Sequence, residues 1–285
     1  MSDSSTQHQV AKPSNAGNGN ERFNAEAAVW DSNPFVHAMS LEAWKAVQKS
    51  VPSLVQSPGQ LDVLEIGCGT GLLSLEAAVA AKRFVAVDAA EGMIEVLSSK
   101  LSKLDSSNIQ PLAIMLEDPE DKRMPPGDDA NPDGPRLKYD LALSHLVLHH
   151  IPDLKPVLAT MLGCLKPGGV VALTDFEDFS PKARRFHPES RMDGVERHGI
   201  ARNWMEDLMR EVGFQDVKVE VAWEHMKLVE KFPGEFKQGT PSKDQGELMK
   251  FSYLMCLGKK IQLDNDLHVQ SHLNVSRAKP GARLK

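Results

Sequence analysis

The chain is poor in cysteine, in long apolar runs and in basic charge, and each shortage excludes something. Its three cysteines, Cys68, Cys164 and Cys256, stand far apart and form neither a CxxC metal spacing nor a disulfide framework. A reducing, intracellular setting is the expectation. No apolar run reaches the roughly 18 residues of a membrane span. Lysine and arginine number 33 against 39 aspartates and glutamates, a net charge of −6, so no global basic field draws in nucleic acid or an anionic membrane. The first residues have neither the apolar centre of a secretory signal nor the arginine-rich, acid-poor character of a mitochondrial presequence, since Asp3 is present and Arg22 is the first arginine. The expected location is the cytoplasm, with the nucleus as the other option. Nucleic acid, a membrane and an obligate protein partner are not expected.

What is present suffices for one large core, because 285 residues at 41% hydrophobic content make one domain with decorations rather than two full-sized ones. Residues 1–22, rich in Ser, Asn, Gln and Gly, are expected to form a disordered tail. The domain itself is expected over residues 23–260. Within it, residues 23–55 carry Trp30, Phe35 and a helical apolar pattern behind Ser40, a candidate N-cap, and so predict a leading helical lid. Residues 261–285 are polar and end in Arg277, Lys279, Arg283 and Lys285, a solvated basic tail.

The rest is organised around residues 61–75, LDVLEIGCGTGLLSL. An apolar run, a cluster of glycines and a second apolar run predict a buried strand, a tight turn and a helix. Gly67, Gly69 and Gly71 allow a ligand to lie against the main chain, next to the N–H groups of a helix N-terminus. A GxxxxGK[ST] phosphate loop is excluded by Leu72 and Leu73. The dinucleotide fingerprint GxGxxG is weakened, because Leu72 or Ser74 stands where its third glycine belongs. Residues 83–90, RFVAVDAA, then end an apolar run at Asp88, about 20 residues past the first glycine, where a carboxylate can take both ribose hydroxyls. Residues 91–104 carry an amphipathic helix pattern.

Glu65 followed by Gly67, Gly69 and Gly71 closely resembles motif I of the class I S-adenosylmethionine-dependent methyltransferases. The phrase YDLALSHLVLHHIPDL, residues 139–154, resembles the fourth-strand motif of the families related to the ubiquinone and menaquinone biosynthesis methyltransferases, and LKPGGVVALTDFE, residues 165–177, has the form of their fifth strand. The resemblance implies an α/β fold: a doubly wound, Rossmann-like sheet of seven strands, mostly parallel, with an antiparallel C-terminal hairpin. It implies S-adenosyl-L-methionine as cofactor, held by Glu65, Gly67, Cys68, Gly69, Gly71, Asp88 with the adjacent Ala89, Met93 near the adenine edge, Glu117 or Asp118 on the adenine amino group, and Ser144 at the end of the fourth strand. The implied reaction is methyl transfer to a small-molecule acceptor by in-line displacement. No metal ligand set stands out, so a metal-independent transfer is expected.

The acceptor side is read from position. His149 and His150 follow the fourth strand, and as neighbours at most one of them is expected to face the pocket; His150 is the candidate. Residues 176–205 mix Phe176, Phe179, Phe186, His187, Met192, Arg197, His198 and Trp204, a composition suited to a small-molecule pocket, and are expected to form an acceptor lid from which His187 or His198 assists. Residues 118–138, dense in Pro, Gly and Asp, are expected to be a surface loop without chemistry. Two other readings stay open: a cofactor-binding regulator that transfers nothing, resembling some fungal regulators of metabolism, and a nicotinamide-dependent oxidoreductase.

Overall fold

The computed structural model describes residues 16–104, 107–237 and 241–262. The apolar runs become the seven strands of one sheet: β1 (Leu61–Ile66), β2 (Ala81–Asp88), β3 (Ile109–Ala113), β4 (Tyr139–His145), β5 (Leu165–Phe176), β6 (Gln215–Val229) and β7 (Glu247–Lys259). Their order is β3-β2-β1-β4-β5-β7-β6. Strands β1 to β5 are parallel, and β7 lies antiparallel between β5 and β6. The doubly wound sheet with an antiparallel C-terminal hairpin is therefore present. Strand order reverses between β1 and β4, and the crevice outside the carboxyl ends of those strands is where such sheets hold ligands.

Both faces of the parallel strands are covered, which is why β1, β2 and β4 read as continuous apolar runs rather than alternating ones. Helices α1 (Ala16–Trp30), α2 (Pro34–Ser50), α3 (Ser53–Gln56), α4 (Leu72–Ala77), α5 (Glu91–Leu101), α6 (Leu154–Cys164) and α7 (Arg202–Val212) complete the fold. On one face Trp44 and Val47 of α2, Leu73 and Ala77 of α4, and Ile94 and Leu97 of α5 pack on Val63, Phe84 and Leu141. On the other, Leu158 and Met161 of α6 and Met205 and Met209 of α7 pack on Leu64, Val85 and Ala142. Those four helical side chains are fully buried, a contribution of roughly 1.5 to 3 kcal/mol each.

Local chemistry explains the boundaries. Asp153 caps α6, its side chain accepting from Lys155 N at 3.0 Å. Ser40 is not a cap: α2 begins at Pro34, and Asn33 accepts from Phe35 N. Proline at the first helical position costs no hydrogen bond, so the earlier start is the favoured one. Helix α1 takes up residues 16–22, which composition alone assigned to the tail. What composition misses is its docking, through Arg22 onto the carbonyls of Arg191 and Asp193 (3.1 and 2.6 Å) and through Ala27 onto Ala90 and Met93. Residues 1–15 of that tail and residues from 263 onward lie outside the described residues.

Between β3 and β4 the chain is a long loop held by the buried Arg136, whose guanidinium donates to the carbonyls of Pro132, Gly134 and Met124. Ile114, Leu116, Met124 and Leu137 from this stretch fill the core beside α6. Among the described residues, no helix is long and apolar enough to cross a membrane.

Candidate active site

The glycine loop follows β1 into the crevice. Gly67, Gly69 and Gly71 all have positive φ, 76°, 53° and 81°, a region that costs an L-residue free energy. A Cβ on Gly67 would stand 2.3 Å from Val147 Cγ2, and one on Gly71 2.4 Å from Leu97 Cδ1, whereas nothing lies within 4 Å of the corresponding point at Gly69. The first and third glycines are thus demanded by packing. The middle one borders open space.

Most of the loop's amides are used internally, contrary to the expectation of free donors. Gly67 N and Cys68 N both donate to Val87 O (2.8 and 3.0 Å), and Gly71 N donates to Cys68 O at 2.9 Å. Gly69 N donates to Asp88 Oδ2 at 2.7 Å, while Ala90 N donates to Oδ1 at 2.8 Å. Burial raises the Asp88 carboxyl above the ordinary range, against these amides and that of Ala89, which hold it down. Each Asp88 oxygen keeps a further lone pair. A half-buried carboxylate with open acceptor sites beside the uncrowded Gly69 fits a ribose diol.

Other members of the implied cofactor set do different work. Glu65 is buried and accepts the Ser74 hydroxyl at 2.5 Å; burial pushes its pKa up to about 8, opposed by that bond and reinforced by the charge of Asp88. It braces β1 against α4 as a protonated carboxyl near neutral pH. The Cys68 thiol is buried among apolar neighbours, and burial raises its pKa. Ser144 is also buried and donates to Ile66 O at 2.8 Å, a tie between β4 and β1 rather than a ligand contact. Met93 packs beneath α1 with Ala27 and Ala90.

Glu117 and Asp118 are not brought to the crevice. Asp88 pairs with Ala113 in the β2–β3 ladder and its carbonyl accepts from Ile114 N, so the residues at its level are Ala113, Ile114 and Met115. The chain then turns back along the sheet. Thr160, in the last turns of α6, donates to Glu117 O, and Lys138, just before β4, donates to Pro119 O. Those partners belong to the amino-end half of the sheet. Two acids after a third strand match the pattern, but here they follow its end by too many residues.

Helix α1 closes over the β2–α5 turn. Asn24 Oδ1 accepts from Gly92 N at 2.8 Å. Asp31, just past the helix, accepts from Thr70 Oγ1 at 2.5 Å and pairs with Lys100, which also donates to Thr70 O. The leading segment is therefore fastened to the glycine loop by polar groups that the sequence reading did not single out.

The histidines are aimed by an unusual turn. Leu146 has φ 55°, rare for a branched side chain and costing on the order of 1 to 3 kcal/mol. It redirects the chain after β4 so that Val147 covers Gly67, and the short 3-10 turn Leu148–His150 faces both imidazoles inward. Their ring centroids are 3.9 Å apart, and His187 stands 5.0 Å from His149 and 5.8 Å from His150. Both neighbours therefore face the cluster, where one was expected. His149 Nδ1 donates to Asp175 Oδ1 at 2.9 Å, and the buried Asp175 also accepts from His149 N. His150 Nδ1 donates to Gly194 O at 2.7 Å. Burial lowers the His150 pKa to about 3, with His149 adding to the effect, and drives that of His187 well below the ordinary value. The sequence reading missed Asp175; the signal that could have found it is a lone acid inside the apolar run VVALTDF, since a buried carboxylate requires partners.

Residues 177–201, within the 176–205 stretch, run beside the cluster, and only part of the aromatic and titratable set points inward. Phe186 stacks on Phe176 at 3.8 Å between centroids, and Lys227 of β6 lies over Phe35 and Phe186, its pKa lowered by burial to about 7. Phe179 and Trp204 are exposed. His198 is not part of the cluster. It accepts from Arg184 in a separate cleft of about 470 Å³ lined by Asp178, Phe179 and Pro181. A second cleft, of about 270 Å³, lies at the amino ends of the strands beside Leu61, Asp140 and Gly168.

A family model described as a methyltransferase domain matches residues 64–171, the span from β1 into β5. An uncharacterized methyltransferase of Schizosaccharomyces pombe is 27% identical over 142 residues, 50% of this chain and 46% of that protein. The malonyl-acyl-carrier-protein O-methyltransferase of Acetivibrio thermocellus is 28% identical over 148 residues, 49% and 46% of the two chains. The ubiquinone biosynthesis O-methyltransferase of Bordetella bronchiseptica is 29% identical over 157 residues, 53% and 57%. This chain thus spans about half the length of the curated relatives it matches. Among solved structures, an S-adenosylmethionine-dependent methyltransferase from Thermotoga maritima shares the fold at TM-score 0.53 and 19% identity, over 84% of this chain and 99% of that one. The N-methyltransferase NodS of Bradyrhizobium japonicum, solved with S-adenosyl-L-homocysteine, does so at TM-score 0.51 and 17% identity, over 85% and 98%.

Proposed function

We propose that this chain, which carries a class I S-adenosylmethionine-dependent methyltransferase domain, transfers a methyl group to a small-molecule acceptor held between the glycine loop and the histidine cluster. The observation that carries this reading is the enclosure of the crevice. Helix α1 is tied to the lid through Arg22 and through an Arg191–Glu26 ion pair at 3.0 Å, and Phe23 of α1 meets the His150 ring edge-on at 5.1 Å. A space closed from two sides suits a small acceptor better than a polymer, and the chain's acidic balance points the same way.

Asp88 and the main chain at Gly69 would hold the cofactor's ribose, with α1 covering the adenosine side through Asn24 and through Ala27, which packs on Met93 of α5. S-adenosylmethionine, when bound, supplies a methyl group on a positively charged sulfur that is its own leaving group, so the displacement needs no metal at that atom. The chain's part is to place the acceptor in line and exclude water. Orientation of that kind contributes on the order of 7 to 11 kcal/mol in well-aligned cases. His150, neutral across the physiological range, presents its Nε2 as a hydrogen-bond acceptor that orients an acceptor O–H or N–H. A base of such low pKa takes a proton weakly, so orientation is its larger role.

The test is to incubate the protein with a metabolite extract and methyl-labelled S-adenosylmethionine and to search the products by mass spectrometry. A labelled small molecule that forms only with active protein is the expected result. Tight cofactor binding without any labelled product across extracts and acceptor panels would instead favour a regulator on the same fold.

A further inference from the structure

We propose that His149, His150 and His187 form a binding site for one divalent transition-metal ion of the zinc class, with a fourth coordination position left open. One ring nitrogen from each residue lies within 4.8 Å of the others. Tetrahedral zinc sites have Zn–N bonds of about 2.0 to 2.1 Å, which sets the nitrogens about 3.4 Å apart, so an ion needs the rings to close by at most about 1.4 Å. Side-chain torsions supply movement of that size.

Proximity alone would not carry the inference. The orientation of the rings does. A metal-bound histidine almost always gives its other N–H to a carboxylate or a backbone carbonyl, which fixes the tautomer and aims the lone pair. His149 does the first, through Asp175, and His150 the second, through Gly194 O. Both therefore carry the proton on Nδ1 and offer Nε2. Among the described residues, His149 Nε2 and His187 Nδ1 are buried without a hydrogen-bond partner. A buried ring nitrogen left in that state is costly, and two such lone pairs, together with His150 Nε2, beside a buried carboxylate make up the donor set that imidazole-preferring ions such as zinc take. Three nitrogen ligands leave a fourth position for a water or an exogenous donor. The ligands come from two separate stretches, so sequence spacing could not reveal them, and the proposal departs from the expectation of no metal on that ground. The inference stands whether or not the chain transfers methyl groups: an ion in place takes the His150 Nε2 lone pair, and its open fourth position then faces the acceptor in that nitrogen's stead.

The experiment titrates chelator-stripped protein with zinc chloride by calorimetry, and with cobalt(II) chloride by absorption spectroscopy as a reporter of geometry. The expected result is one ion per chain at micromolar affinity or tighter, with the ligand-field bands of four-coordinate cobalt and a rise in melting temperature on zinc addition. His187→Ala should cut zinc affinity at least a hundredfold, Asp175→Asn by about 10 to 100-fold as a second ring of support, and His198→Ala should leave it unchanged. His187→Gln serves in place of His187→Ala if the latter no longer melts cooperatively. Absence of saturable binding to the native protein, or equal affinity in the native and His187 variants, would overturn the assignment.

Discussion

Asp88→Ala should weaken S-adenosylhomocysteine binding roughly a hundredfold or more, measured by calorimetry on a variant that still melts cooperatively. Its two oxygens would each accept a ribose hydroxyl, and hydrogen bonds to charged groups are worth roughly 1.5 to 3 kcal/mol each. The side chain does more than touch the ligand. By accepting from Gly69 N and Ala90 N it holds the glycine loop against the β2–α5 turn, so its loss also loosens the surface on which the ligand lies. Burial raises the Asp88 pKa, and affinity should therefore begin to fall at a higher pH on acidification than a solvent-exposed aspartate would dictate. Unchanged affinity in the folded variant would remove Asp88 from the site.

His150→Ala should lower turnover on the true acceptor by roughly a hundredfold or more while cofactor affinity barely moves. That split marks an interaction made mainly at the transition state. The ring has two functions that the alanine variant removes together, the Nδ1 bond to Gly194 O that anchors the lid and the Nε2 lone pair facing the cluster. His150→Asn separates them, because its amide keeps a donor for the carbonyl and lacks the inward lone pair. Recovery of turnover in the asparagine variant would assign His150 to anchoring the lid. With a pKa pushed down to about 3, the native residue should also contribute no titration limb between pH 6 and 8, and a limb that disappears in the variant would contradict the environment described for it.

Much of the fold was legible because parallel strands buried on both faces and the helices between them leave strong periodic signals: the apolar runs that open residues 61–75, 83–90 and 139–154 coincide with β1, most of β2 and β4, although β2 begins two residues earlier. The position of Asp88 at the carboxyl end of β2 was legible for the same reason, since the distance from glycine loop to second-strand end is fixed by βαβ geometry. What was not legible depends on backbone turns that residue types do not announce. Leu146 in the left-handed region turns both His149 and His150 inward, and nothing in SHLVLHH signals it. Glu117 and Asp118 satisfied the expected chemistry but lie past a turn that carries them toward α6. Residues 16–22 have a tail-like composition, yet they join a helix secured by contacts to Arg191 and Asp193, far away in the chain. In each case a tertiary contact outweighed the local pattern.

The most direct test of the central claim is a pair of calorimetric titrations of the purified native protein, one with S-adenosylhomocysteine and one with NAD. The account predicts one S-adenosylhomocysteine site of micromolar affinity and no measurable NAD binding, because Gly69 and Asp88 would form the ribose site in a loop that lacks the third glycine of the dinucleotide fingerprint. Saturable NAD binding with no response to S-adenosylhomocysteine would contradict it.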